Sequence, residues 1–141
     1  MKRTILFFIT PILALLLAVG CCDCRKQARN VKPLVGTKWQ LVQIMARDVQ
    51  TDGDKYTLTL HDNGTVSAMG GCNYISGTYR MTSSRELDIT NTATTLRMCN
   101  DTMESDYFSM LEAVTHYEMD GSMMLLLKSG ELIAIMQAAE L

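Results

Sequence analysis

Five cysteines, two histidines and one glycine-rich turn are the residues of this chain whose types and spacing could do chemistry. Nucleophilic catalysis needs a base held beside its nucleophile. Only His61 and His116 offer an imidazole, and neither stands in a Gly-x-Ser-x-Gly, His-Glu-x-x-His or P-loop setting. His61 lies beside a hairpin turn on a polar face and reads as a surface residue. His116 follows a helix, where a C-terminal position favours its charged form. No catalytic residue is assigned. Cys22-Asp23-Cys24 has soft-ligand chemistry, but Cys-Cys-x-Cys is not a closed zinc pattern, so no metal and no cofactor are expected. Gly70-Gly71-Cys72-Asn73 has another use. Successive glycine-flanked amides form anion-binding nests, which makes Gly70, Gly71, Asn73 and Arg97 the candidate ligand-binding residues. The competing reading is that Asn73 orders the loop at 73–76 through its own backbone.

The other chemically specific position is Cys21. Lys2 and Arg3 precede an apolar run at 5–19, and Gly20 stands before the cysteine. A basic start, a short apolar stretch and a small residue at the cut make a secretory signal. The run is short of the about 20 residues that a membrane-spanning helix needs. Leu17-Ala18-Val19-Gly20-Cys21 resembles a bacterial lipobox, in which the cysteine is acylated and becomes the first mature residue. Two or more acyl chains anchor a protein stably. Residues 1–20 are therefore read as a lipoprotein signal peptide and 21–33 as acylated cysteine and tether. The tether is polar and basic, with Arg25, Lys26, Arg29 and Lys32, and shows no apolar period.

With Cys21 given to the lipid, four cysteines remain, and they allow three pairings. Cys72 and Cys99 both lie in the folded part, which favours a bond between them in an oxidising compartment. Two buried thiols are the alternative. From Val31 onward there are eight Lys and Arg against fourteen Asp and Glu, a net charge of −6. No basic stripe is left to meet phosphates, so nucleic acid is excluded as a partner.

The elements that position these residues alternate with period two. Residues 36–44 read as a strand with Trp39 and Leu41 on one face. Tyr56, Leu58 and Leu60 alternate with polar residues, and Asp62-Asn63-Gly64 is a hairpin turn leading to a return strand at 65–69. Gly70-Gly71 breaks the pattern as a bulge or close approach. A strand after Ser76-Gly77 points Tyr79 and Met81 inward, and Leu87 and Ile89 begin another. Residues 91–95 read as a polar Thr-rich stretch. Asp101 is a candidate helix cap with Glu104 as its box partner, ahead of a helix of about 12 residues. Strands at 117–119, 123–128 and 131–137 close the chain as a meander. The class is α+β: an antiparallel sheet curled toward an incomplete barrel with one packed helix.

Three motifs carry a family likeness. They are Gly70-Gly71-Cys72-Asn73-Tyr74-Ile75-Ser76-Gly77-Thr78-Tyr79, then Thr94-Thr95-Leu96-Arg97-Met98-Cys99, then Glu104 through Phe108 to Leu111. Together they resemble the META domain, the HslJ-like family of small bacterial envelope proteins, over residues 34–141. The resemblance implies an antiparallel incomplete barrel, supports pairing Cys72 with Cys99, and carries no catalytic residues.

These observations lead to the expectation of a non-enzymatic lipoprotein of the bacterial envelope, held through Cys21, with the outer membrane as its expected address. Its role would be binding or accessory, in envelope stress or maintenance, with an envelope protein as partner. The alternative is a carrier or pilot-like module holding a lipid or apolar peptide. That reading draws on the ten methionines from Met45 onward, which could line a cleft. An enzyme inhibitor would need a projecting rigid loop, and 73–76 is the candidate for one.

Overall fold

The computed structural model describes residues 31–51 and 53–139. The signal peptide, Cys21, Cys22 and Cys24 lie outside the described residues. Among the described residues, nine strands and one helix follow in order: β1 (Lys38–Ile44), β2 (Arg47–Asp48), β3 (Thr57–Leu60), β4 (Thr65–Met69), β5 (Tyr74–Met81), β6 (Leu87–Thr94), α1 (Glu104–Ala113), β7 (His116–Asp120), β8 (Met123–Lys128) and β9 (Glu131–Ala138). The sheet runs β6-β5-β4-β3-β1-β9-β8-β7, with β2 paired to β1. Every strand pair is antiparallel.

The sheet curls until its two edges touch at one end. There the Leu87 N–H donates to the Thr115 carbonyl at 3.0 Å, and the Tyr117 N–H donates to the Arg85 carbonyl at 3.0 Å. Beyond this point β6 and β7 do not pair, so the barrel stays incomplete. Helix α1 packs against β6. It buries Tyr107, Met110 and Leu111 in one core with Trp39, Leu58 and Met124. The period-two reading holds in that core: Trp39, Leu41, Leu58 and Leu60 are fully buried. Full burial of each such side chain favours folding by about 1.5–3 kcal/mol. Tyr107 also needs a partner for its hydroxyl, and donates to the Thr57 carbonyl at 2.9 Å. Its ring meets that of Tyr56 edge-on, with centroids 5.3 Å apart.

Four local expectations are corrected. Residues 91–94 belong to β6 rather than to a loop. Thr90, Asn91, Ala93 and Thr94 are all exposed there, so the apolar alternation that betrays a strand is missing. The strand opposite starts at Tyr74, ahead of Ser76-Gly77, and slips register between Ser76 and Thr78. At Gly77 a Cβ would lie 2.9 Å from the Thr90 carbonyl oxygen, so the bulge requires glycine. Along the same strand Met81, expected to point inward, is 40% exposed. Helix α1 is 10 residues long and begins at Glu104, with no side-chain cap at Met103. Asp101 and Glu104 are committed elsewhere, as described next.

The methionines are spread over three environments, with Met69, Met103 and Met119 half-buried. Met110, Met124 and Met136 are packed in the core, whereas Met45, Met81, Met98 and Met123 are exposed. No helix of the described residues is long and apolar enough to cross a membrane.

Candidate functional site

The turn from β4 to β5 brings two glycines against the residues that precede and open α1. A Cβ on Gly70 would lie 2.6 Å from Glu104 Oε1, and one on Gly71 would collide with the Asp101 carboxylate. Only glycine lets two carboxylates lie this close to the backbone. Two backbone amides of the turn converge on a carboxylate of the chain itself. Glu104 Oε1 accepts from the N–H groups of Cys72 (3.1 Å) and Asn73 (2.8 Å), and Oε2 accepts from Asn73 Nδ2 (2.8 Å). Burial would raise the Glu104 pKa, but the hydrogen bonds from Asn73 and Cys72 outweigh it and hold the carboxyl below its ordinary value. An outside anion would have to displace Glu104 from Gly70, Gly71 and Asn73.

Asn73 is the centre of the site. It is one of two buried polar side chains among the described residues, with Thr57 the other. Its Oδ1 accepts from the Thr95 hydroxyl at 2.9 Å and from the Arg97 N–H at 2.7 Å. Its Nδ2 donates to the Arg97 carbonyl at 3.1 Å as well as to Glu104. All four hydrogen-bonding positions of the amide are used. The loop it orders is 95–97, across the sheet edge, and not its own successor residues. Residues 74–76 are strand β5, so the projecting loop expected at 73–76 is found at 95–99 instead.

That loop is tied at both ends. Thr95 N–H donates to the Tyr74 carbonyl at 3.0 Å, and Tyr74 N–H donates to Thr95 Oγ1 at 3.0 Å. At the other end Cys99 is joined to Cys72 by a disulfide, with Cα atoms 6.4 Å apart. Cys99 Sγ lies 3.5 Å from Glu104 Oε2. Cys72, Cys99 and Glu104 are clustered within 4.8 Å, but joined sulfurs present no thiolate to a metal.

Between its ties the loop shows its side chains to solvent. Leu96 is 93% exposed and Met98 is fully exposed. Arg97, expected beside an outside anion, is exposed and makes no ion pair among the described residues. A shallow cleft of about 330 Å³ runs beside the loop, lined by Asn73, Ile75, Thr95, Leu96, Glu104 and Phe108. Beneath it, the Tyr56 hydroxyl donates to Asp101, which also accepts from the Met103 N–H at 3.1 Å. Burial, followed by that bond to Asp101, pushes the Tyr56 pKa up.

Glu104, Asp101, Tyr56 and Thr95 were not read as site residues from the sequence. The available signal was Asp101-x-x-Glu104 directly after Cys99, but the same spacing describes a capping box. His61 is half-buried with Nε2 2.8 Å from Ser67 Oγ, and His116 opens β7 with Nδ1 3.0 Å from Thr115 Oγ1. Neither contacts the loop site.

The fold has solved counterparts. A DUF4847 family protein from Bacteroides vulgatus superposes with a TM-score of 0.58 at 15% identity, covering 76% of this chain and 94% of that one. A protein from Burkholderia xenovorans superposes with a TM-score of 0.58 at 22% identity, covering 77% and 85%. At these identities the likeness is one of fold, and neither name carries an activity. No curated protein matches the chain. The META domain family model matches residues 32–140, which takes in the glycine turn, both disulfide cysteines, the 95–99 loop and α1, and the chain belongs to the META domain family.

Proposed function

We propose that this chain is a non-enzymatic, lipid-anchored envelope protein that recognises another protein through the 95–99 loop. One observation carries the reading: Leu96 and Met98 are fully offered to solvent on a backbone fixed by Asn73 and by the Cys72–Cys99 bond. Large apolar side chains held out on an ordered loop favour association, because little conformational freedom is left to lose on binding. The anchor rests on Cys21 and the residues before it. Two hydroxyl–imidazole contacts occur, Ser67 with His61 and Thr115 with His116, and among the described residues no carboxylate orients either imidazole.

Two measurements test the two halves. Cys21→Ser is expected to release the protein from membranes into the soluble fraction, and unchanged retention refutes the anchor. A photo-crosslinking residue at position 98 is expected to give a discrete adduct in intact envelopes that the same residue at Ser129, on the β8–β9 turn, does not give. Equal labelling at both positions, or none at 98, refutes the loop as a recognition element.

A further inference from the structure

The ties on the 95–99 loop alternate with untied residues, and one untied residue stands directly before the covalent tie. Thr95 is paired to Tyr74. Arg97 has both its N–H and its carbonyl bonded to Asn73. Cys99 is bonded through sulfur to Cys72. Leu96 and Met98 are untied: neither carbonyl has a hydrogen-bond partner among the described residues and both side chains are exposed, but only Met98 stands directly before a covalently fixed residue, Cys99. An endopeptidase binds a held chain segment, fills its primary pocket with the side chain before the reacting bond, and receives that residue's carbonyl in an oxyanion hole. The Arg97 carbonyl is already engaged by Asn73. The Met98 carbonyl is free to enter such a hole.

We infer that this loop occupies the substrate cleft of a serine endopeptidase with an apolar primary pocket and inhibits it, Met98 filling the pocket. This rests on the reading of the loop as a protein-binding element. Leu96 and Arg97 lie on the acyl side of the bond and add contact area there. The rigid loop binds with its ordering cost already met, which separates a tight inhibitor from a flexible substrate.

The same ties explain why attack would not release the enzyme. The serine Oγ adds to the Met98 carbonyl, and the bond to Cys99 nitrogen breaks, with the serine proton passing through the enzyme's base to the departing amine. That amine cannot diffuse away, because Cys99 stays bonded to Cys72, while Asn73 holds Arg97 on the acyl side. The amine re-attacks the ester, the peptide bond re-forms, and the serine hydroxyl is restored. If water reaches the ester first, the product is a nicked chain one water heavier and still in one piece.

The test titrates the full-length chain, in detergent micelles, into subtilisin-type, chymotrypsin-type and trypsin-type serine peptidases, reading hydrolysis of a chromogenic peptide. The expected result is inhibition of the first two types at roughly micromolar or lower concentration. Met98→Asp should weaken it by about 100-fold, as removal of a central pocket anchor does. Met98→Lys should move inhibition toward the trypsin type. Met98 is solvent-exposed, so neither variant threatens folding. No inhibition of the apolar-pocket enzymes, equal inhibition by Met98→Asp, or rapid turnover of the loop with the enzyme left active overturns the inference. A crosslink from position 98 to a protein that is not a peptidase, without inhibition, overturns it and leaves the proposed recognition loop standing. No crosslink and no inhibition removes both.

Discussion

The side-chain amide of Asn73 brackets the peptide unit of Arg97, 24 residues away: Oδ1 receives the Arg97 N–H at 2.7 Å and Nδ2 donates to the Arg97 carbonyl at 3.1 Å. One side chain thus takes the place of a missing strand neighbour. The loop continues past the end of β6 without a sheet beside it and stays ordered because Asn73 supplies the pairing. Since Asn73 is also bonded to Glu104 and Thr95, the loop, the glycine turn and the start of α1 form one hydrogen-bonded unit.

Removing that amide should uncouple the unit. Asn73→Ala leaves the Glu104 carboxylate short of a donor and both polar groups of Arg97 unpaired. Such losses cost about 2 to 4 kcal/mol in a partly buried network. The expected result is a lower urea midpoint, together with faster amide hydrogen exchange at Arg97. An unchanged exchange rate would show that the disulfide alone orders the loop.

The disulfide makes a separate contribution. Cys72 and Cys99 are 27 residues apart, and closing a loop of that length in the unfolded chain stabilises the fold by about 3 to 4 kcal/mol on the chain-entropy account. Reduction, or the double change Cys72→Ala with Cys99→Ala, should lower stability by that amount while leaving the sheet's far-ultraviolet signature in place. Asn73 and Cys72 hold the same loop, so the two losses should not add.

The strands were legible wherever one face is buried, because Leu58 and Leu60, or Leu87 and Ile89, alternate with solvated residues. The end of β6 was illegible for the converse reason: Asn91 to Thr94 bury no large side chain. At the site, the close approach at the glycine pair and the Cys72–Cys99 bond could be read, since glycine and cysteine impose geometry locally, whereas the partners of Asn73 at 95–97 could not. What could not be read was that Glu104 would occupy the nest. A carboxylate three residues after Asp101 satisfies a helix cap and a distant turn equally well in sequence terms. Only the packing of α1 beside β6 decides between them.

The Glu104 nest predicts a pH dependence with a definite sign. A carboxyl whose folded pKa lies below its unfolded value adds stability above the unfolded value, and that stability is lost as pH falls through the folded value. Hydrogen bonds from Asn73 and Cys72 place Glu104 in this class despite its burial. The urea midpoint should therefore fall on acidification below about pH 4, the ordinary carboxylate range. Glu104→Gln should be less stable at neutral pH, because the amide nitrogen faces donors, and its acid limb should be shallower. An equally steep limb in the variant would assign the acid sensitivity to other carboxylates.

The two glycines give the sharpest test of the close approach, because the neighbouring atom is known in each case. Gly71→Ala drives a methyl into the Asp101 carboxylate, and overpacking of this kind costs about 1 to 3 kcal/mol. Asp101→Ala relieves the collision but leaves the Tyr56 hydroxyl and the Met103 N–H without their acceptor, so alone it is also destabilising. In the double variant the collision is absent, and the loss should be smaller than the sum of the two singles. A double-mutant cycle in urea reads this coupling directly. Strict additivity would mean that Gly71 is required for its backbone freedom and not for the space it leaves to Asp101. Gly71 is not among the residues with positive φ, so backbone freedom is not what selects glycine there, and coupling is the expected outcome.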